Sequence, residues 1–214
     1  MFIGRQTEIK ILNRLLTFNT ACLVVLKGRR RIGKSRLVAE FAKSHLFYRF
    51  TGLSPENAIT EQDQLNHFAK QFAEQFNTPE FVLTDWGKAF KQLAQQTRKG
   101  RVIILLDEIT WMAMSSKTFL GLLKIAWDDE LKLNSKLILF VCGSVSSWIE
   151  KNILSSTGFL GRPTMHMTID ELPLQDCKEF WQPYTDKISN YEKLKLLSFT
   201  GGVPRYLELI NPKL

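Results

Sequence analysis

The chain has 214 residues, 44% hydrophobic and 23% charged, and carries a formal net charge of +8. That length and balance suit one soluble globular domain, or one domain with part of another, and a core that needs neither disulfide nor metal. Three scattered cysteines, Cys22, Cys142 and Cys177, have no zinc-site spacing; the apolar run 21–26 is too short to span a bilayer; and no signal peptide opens the chain. A cytoplasmic location with no membrane partner is the expectation. His45, His67 and His166 are isolated and read as core or surface residues rather than ligands.

In chain order, Ala21–Lys27 reads as a buried strand. The run Gly28-Arg29-Arg30-Arg31-Ile32-Gly33-Lys34-Ser35 follows and satisfies Gly-x-x-x-x-Gly-Lys-Ser/Thr, the phosphate-binding loop. Ser35–Ala42 then has helical spacing at Leu37, Val38 and Phe41. This strand–loop–helix order lets backbone N–H groups surround phosphates at a helix N-terminus. Lys27, Arg29, Arg30, Arg31, Lys34 and Arg36 place six positive charges and no acid in ten residues. An anionic ligand explains Lys34 and could explain one more arginine, and the rest of the chain is near balance, so DNA contact stays an open reading.

Phe47–Leu53 is a candidate second strand. Leu65, Phe68, Ala69, Phe72, Ala73 and Phe76 define an amphipathic helix that ends at Asn77-Thr78-Pro79. Trp86, Ala89, Phe90, Leu93 and Ala94 mark another, closed by Lys99-Gly100. Arg101–Leu106 is a continuous apolar strand leading into Asp107-Glu108. Phe119, Leu122, Leu123, Ala126 and Trp127 predict a helix, Leu137–Cys142 a strand ending at Gly143-Ser144, and Met165–Ile169 a last strand. Two helices, roughly 175–182 and 190–199, come next. Strands alternating with helices imply an α/β fold: a mostly parallel sheet covered on both faces, with ligands outside the strands' carboxyl ends. Gly28, Asp107 and Ser144 all fall at such ends.

This pattern predicts a nucleoside triphosphate and Mg²⁺ as ligands. Lys34 reaches the β- and γ-phosphates, Ser35 ligates Mg²⁺, and Asp107 holds the metal through water. Glu108, next to it, polarises the attacking water as general base. For Ser144 two readings stand: a hydroxyl on the γ-phosphate or the attacking water, or an ordinary serine in a Gly-Ser turn. Asp128-Asp129-Glu130 reads as a solvated helix end rather than a metal site.

The residues resemble one family, the archaeal-type ATPases of the AAA+/STAND branch of P-loop NTPases. Phe2-Ile3-Gly4-Arg5-Gln6-Thr7-Glu8 is similar to the family's opening box, and Gly28–Arg36 to its arginine-rich loop signature. Leu105–Glu108 resembles its acidic strand, Cys142-Gly143-Ser144 its sensor strand end, and Leu160-Gly161-Arg162 its Gly-Arg element. Thr200-Gly201-Gly202-Val203-Pro204-Arg205-Tyr206-Leu207 resembles its lid motif. The resemblance implies a P-loop NTPase fold of AAA+/ASCE type, with a core over 1–170 and the start of a small helical lid over 171–214. It implies that Ile3, Gly4 and Arg5 pack against the adenine, that Pro204 approaches it from the lid, and that Ser144 senses the γ-phosphate. Arg205 would be a second sensor. Arg162 would be an arginine finger acting on a neighbouring protomer's nucleotide, making the chain a homo-oligomer; the plain alternative is a loop arginine. The chain ends at Leu214, soon after the lid motif, which predicts a partial lid. Three functions follow: an ATP-hydrolysing switch or motor, an ATP-sensing interaction module without turnover, or a DNA-associated ATPase or loader. A small-molecule kinase is disfavoured because acceptor-binding segments have no counterpart.

Overall fold

In the computed structural model, which describes residues 2–55 and 59–210, apolar runs form five short parallel strands in the order β2-β3-β4-β1-β5. These are β1 (Cys22–Lys27), β2 (Leu46–Thr51), β3 (Val102–Asp107), β4 (Leu137–Gly143) and β5 (Met165–Thr168). Every residue of β3 and β4 is buried, as strands covered on both faces require. Alternate residues split between two apolar layers. Leu23, Val25, Ile104, Leu106, Leu139 and Val141 face one, and Val24, Leu26, Ile103, Leu105, Phe140 and Cys142 the other.

The first layer is closed by α3 (Glu61–Phe76), α4 (Trp86–Gln96) and α6 (Phe119–Asp129). Aromatic rings join these helices to the sheet. Phe50 stacks on Phe68 at 4.4 Å, Phe68 meets the edge of Trp86 at 5.6 Å, and Trp86 meets Phe119 at 4.7 Å. Thr60 and Asp63 form a reciprocal capping box at the start of α3, and Asn77, in the left-handed region at φ 51°, ends it. The second layer is closed by α1 (Gln6–Asn13) and α2 (Lys34–Phe41).

The expected elements are present with shifted ends. The second strand stops at Thr51 rather than Leu53, because its partner β3 ends at Asp107, opposite Thr51. The helix expected near 175–182 is one turn, α8 (Leu174–Cys177), continued as a 3₁₀ stretch, Lys178–Lys187. Four helices are additional to those expected: α1, α5 (Ile109–Met114), α7 (Ser146–Ile149, running into a π-helical stretch Glu150–Leu154) and α10 (Pro204–Leu209). α9 (Asn190–Thr200) has no buried residue. A small third cluster of Leu172, Cys177, Trp181 and Leu207 holds the C-terminal segment together. Leu172 N–H donates to the Gly202 carbonyl at 2.8 Å. Residues 211–214, part of the expected lid, lie outside the described residues, as do residues 1 and 56–58 of the expected core.

The outer edge of β2 is met by three glutamines of α3. Gln75 accepts from Arg49 N–H at 2.7 Å and donates to its carbonyl at 2.9 Å. Gln71 does the same for Thr51 at 2.8 and 3.2 Å, and Gln64 for Leu53 at 2.9 Å in both directions. Each amide supplies the donor and acceptor that a neighbouring strand would supply. Gln71→Met keeps the side-chain volume and removes both bonds, leaving two part-buried backbone groups unpaired. We expect a loss of ~1–3 kcal/mol, read from the urea midpoint at unchanged slope.

Candidate nucleotide-binding site

The loop after β1 is shaped by residues that tolerate its backbone. Gly28 has φ 151°, and a Cβ there would stand 2.4 Å from the Ile169 carbonyl oxygen. Arg31 (φ 68°) and Gly33 (φ 95°) adopt left-handed conformations that turn the chain into α2. Ile32 anchors the loop in the second apolar layer at 1% exposure. Lys34 is 6% exposed, and its ammonium donates to the Gly28 carbonyl at 2.7 Å and the Arg29 carbonyl at 3.1 Å. Burial pushes its pKa down, and the carboxylates of Glu108 and Asp107 partly oppose this. Half-buried Ser35 comes next on the first turn of α2.

β3 delivers the acidic pair in two different environments. Asp107 is 3% exposed; Glu108, with φ 51°, precedes α5 and is only half-buried. Ser144 donates to the Glu108 carboxylate twice, from its N–H at 3.2 Å and its hydroxyl at 2.9 Å. The hydroxyl expected on phosphate or water is thus engaged with Glu108. Asp107 accepts from Arg49 of β2 at 2.7 Å. Sequence reasoning missed Arg49. Its only signal was one charge inside an otherwise uncharged strand.

A cleft of about 260 Å³ opens between these groups, lined by Arg31, Gly33, Lys34, Ser35, Arg36, Glu108, Pro204, Arg205 and Glu208. A smaller one beside it is lined by Phe2, Ile3, Arg5, Ile32, Gly33, Arg36, Phe180 and Pro204. Its walls are partly apolar and include Ile3 and Arg5 of the opening box, and Pro204 is shared by both clefts. Arg5 acts mainly as a clasp. At 6% exposure it donates to the Ile32 carbonyl at 3.2 Å, to the Asp170 carbonyl, and to Glu8 at 2.8 Å, tying the opening box to the loop and the end of β5. Gly4 packs against the C-terminal segment, where a Cβ would meet the Asp176 carboxylate at 2.5 Å.

The loop arginines diverge. Arg29 pairs with Glu171 at 3.0 Å, and Arg36 pairs with Glu208. Arg30 lies over the Trp111 ring at 5.7 Å and Arg31 over Tyr206 at 5.5 Å. Arg205 is exposed and reaches Glu208 at 3.4 Å. Arg162 lies at the opposite end of the sheet, where nearby Thr164 N–H donates to Leu23 at the start of β1. Five residues of strand separate Leu23 from Gly28, roughly 16 Å at ~3.3 Å per residue. Arg162 therefore does not meet this chain's own loop. Its Nε and Nη2 grip the Asp128 carboxylate at 3.0 and 2.6 Å, and hold that carboxyl below its usual range. Asp128 is thereby an ion-pair partner rather than a freely solvated helix end.

The residues present fit a magnesium nucleotide. Ser35 and Asp107 are hard oxygen donors, as Mg²⁺ prefers, and one or two protein oxygens suffice when phosphates and water complete the shell. Among the described residues no group of three or more His, Cys, Asp or Glu is arranged to hold a metal. Among them, too, no helix is long and apolar enough to cross a membrane.

Burial of Lys34 has a measurable consequence. Phosphate favours its charged form, so above the lowered pKa of the empty site binding must take up a proton. Affinity for Mg-ATP should then fall by up to about tenfold per pH unit, beginning below the ordinary lysine range. Lys34→Arg should flatten this dependence. An affinity that stays constant for the wild type until ordinary lysines titrate would contradict it.

Comparison with known proteins gives the family. The profile of an ATPase domain found predominantly in Archaea matches residues 2–210. An uncharacterized protein of Methanocaldococcus jannaschii is 30% identical over 214 residues, 99% of this chain and 44% of its own length. An uncharacterized ATP-binding protein of the same organism is 41% identical over 44 residues, 21% of this chain and 75% of its own. The chain thus spans less than half of the longer relative. Among solved structures, the Walker-type ATPase PABY2304 of Pyrococcus abyssi superposes with TM-score 0.70 at 17% identity, covering 97% of this chain and 66% of that one. The Orc1 protein of Aeropyrum pernix, solved with DNA, gives 0.58 at 15% identity over 86% of this chain and 49% of its own. These likenesses show the fold, a P-loop ATPase sheet. With the profile spanning nearly all of its length, the chain belongs to the ATPase domain family found predominantly in Archaea.

Proposed function

We propose that this chain binds Mg-ATP and hydrolyses it to ADP and phosphate, and that turnover drives a conformational switch. The observation that carries the reading is the pairing with Ser144 of Glu108, which lines the same cleft as Lys34 and Ser35. A general base needs a carboxylate held still beside the substrate, and two hydrogen bonds from Ser144 to one carboxylate oxygen leave the other free. Lys34 would exchange its loop carbonyls for the β- and γ-phosphates. Ser35 and Asp107 would hold Mg²⁺, which neutralises phosphate charge and orients the γ-phosphate. Glu108 would then take the proton of the attacking water. The opening box and Pro204 would flank the base, with residues 1–170 as core and 171–214 as lid.

The switch reading rests on ion pairs between loop and lid. Glu171 accepts both from Arg29 and from Gly202 N–H at 3.1 Å, and Glu208 pairs with Arg36 and Arg205. Nucleotide phosphates compete with these carboxylates for the same arginines, so binding and release would move the lid. Arg162 would act in trans, leaving Asp128 for a neighbouring nucleotide. The buried thiols Cys22, Cys142 and Cys177 suit a reducing cytoplasm.

Steady-state phosphate release is the test. The wild type should turn over with Mg²⁺, and Glu108→Gln should keep ATP affinity and lose ~10²–10⁴ in rate. ATP binding without release in the wild type would leave a nucleotide-sensing module. Stimulation by DNA that weakens steeply with salt would support a DNA-associated ATPase, as the likeness to Orc1 suggests.

The trans role has its own test. Specific activity should rise with protein concentration, Arg162→Ala should remove that rise, and mixing Arg162→Ala with Glu108→Gln should restore part of it. Activity independent of concentration, with no rescue on mixing, would assign Arg162 to its bond with Asp128 alone.

A further inference from the structure

Arg49 stands on the outer strand β2, two residues before Thr51, which pairs with Asp107 across the β2–β3 register. Its guanidinium donates to Asp107 at 2.7 Å. The two partners sit in unlike surroundings: the Asp107 side chain is 4% exposed and that of Arg49 is 48% exposed. A carboxylate so buried is costly to leave without a partner, and Arg49 is the cation that meets it. The backbone of Arg49 is fixed, because Gln75 bonds both its N–H and its carbonyl. Only the side chain can leave Asp107, and half of it already faces solvent. The buried Cys142 thiol, pushed up chiefly by burial, feels Asp107, Lys34, Glu108 and Arg49 together.

We propose that Arg49 is a built-in counter-ion for the metal-binding carboxylate: it occupies Asp107 while the nucleotide site is empty, and Mg²⁺ arriving with ATP displaces it. The inference rests on Asp107 being a magnesium ligand. Lys34 and Arg49 then stand against the two strand-end carboxylates, Asp107 and Glu108. A free divalent ion must compete with a formed ion pair. Mg-ATP brings phosphate charge as well, so the metal enters with its nucleotide and not alone. Arg49 is a positioning residue in this scheme, acting through Asp107.

Binding of Mn²⁺, followed by electron paramagnetic resonance with and without ATP, tests this in the wild type, Arg49→Gln and Arg49→Lys. Removing the positive charge should lower the half-saturating Mn²⁺ concentration of the ATP-loaded protein roughly fivefold. Arg49→Lys, which keeps the charge, should stay near wild type. ATP affinity in EDTA should be equal in all three. Without nucleotide, Arg49→Gln should melt lower than wild type, and added Mn²⁺ should raise its melting temperature more. If Arg49→Gln does not fold, Arg49→Met keeps the aliphatic stem and gives the same readout. Unchanged or weaker Mn²⁺ binding in the neutral variants would overturn the counter-ion role while leaving the Lys34 and Asp107 assignments intact. A wild type that shows no metal dependence of ATP binding would instead remove the assignment of Asp107 on which the inference rests.

Discussion

Lys27, Gly143 and Thr168 stand side by side at the carboxyl ends of β1, β4 and β5, and Thr51 stands beside Asp107 at the ends of β2 and β3. This common register is the constraint on which the candidate site depends. Parallel strands that finish in phase bring every following turn to one edge of the sheet. Gly28, Glu108 and Ser144 are far apart in sequence, yet each is the first residue after its strand. Slipping β4 by one residue along β1 would exchange its two faces and send Ser144 away from Glu108. The apolar layers oppose such a slip, because every side chain of β4 is matched to one layer or the other.

The same edge concentrates charge where the sheet is otherwise apolar. Lys34 is held by carbonyls of its own loop, Glu108 by a serine and Asp107 by an arginine. Each ionic group therefore has a partner before any ligand arrives. These partners are ones that a phosphate or a metal can replace, so a ligand would enter by exchange of partners rather than against bare charge. Arg5 and Ile32 fix the loop from below, so this exchange can occur without moving the loop's base.

Local pattern made much of this legible. The loop and its flanking strand and helix, the acidic strand end, and the aromatic faces of α3 and α4 follow from residue order and period alone. What escaped was set by distance in space. Arg49 meets Asp107 across 58 positions, and Arg162 meets Asp128 across 34. Neither pairing leaves a trace in a short window. Arg5 lines the smaller cleft and also clasps the Ile32 and Asp170 carbonyls, 27 and 165 positions away, which no short window shows. The short helices α5, α7 and α10 have four to six residues, too few for a periodic signature, and are held by what they pack against.

The three glutamines of α3 have a consequence for association between chains. An outer strand ordinarily offers its backbone as a template, and proteins defend it with charges, prolines or bulges. Here the amides of Gln75 and Gln71 satisfy Arg49 and Thr51 on the edge of β2, and that of Gln64 satisfies Leu53 just beyond it, acting as a strand made of side chains. A β-strand from another molecule would have to break six hydrogen bonds before making its own. Two copies that met edge to edge at β2 would find Arg49 and Thr51 already satisfied, which opposes joining their sheets there.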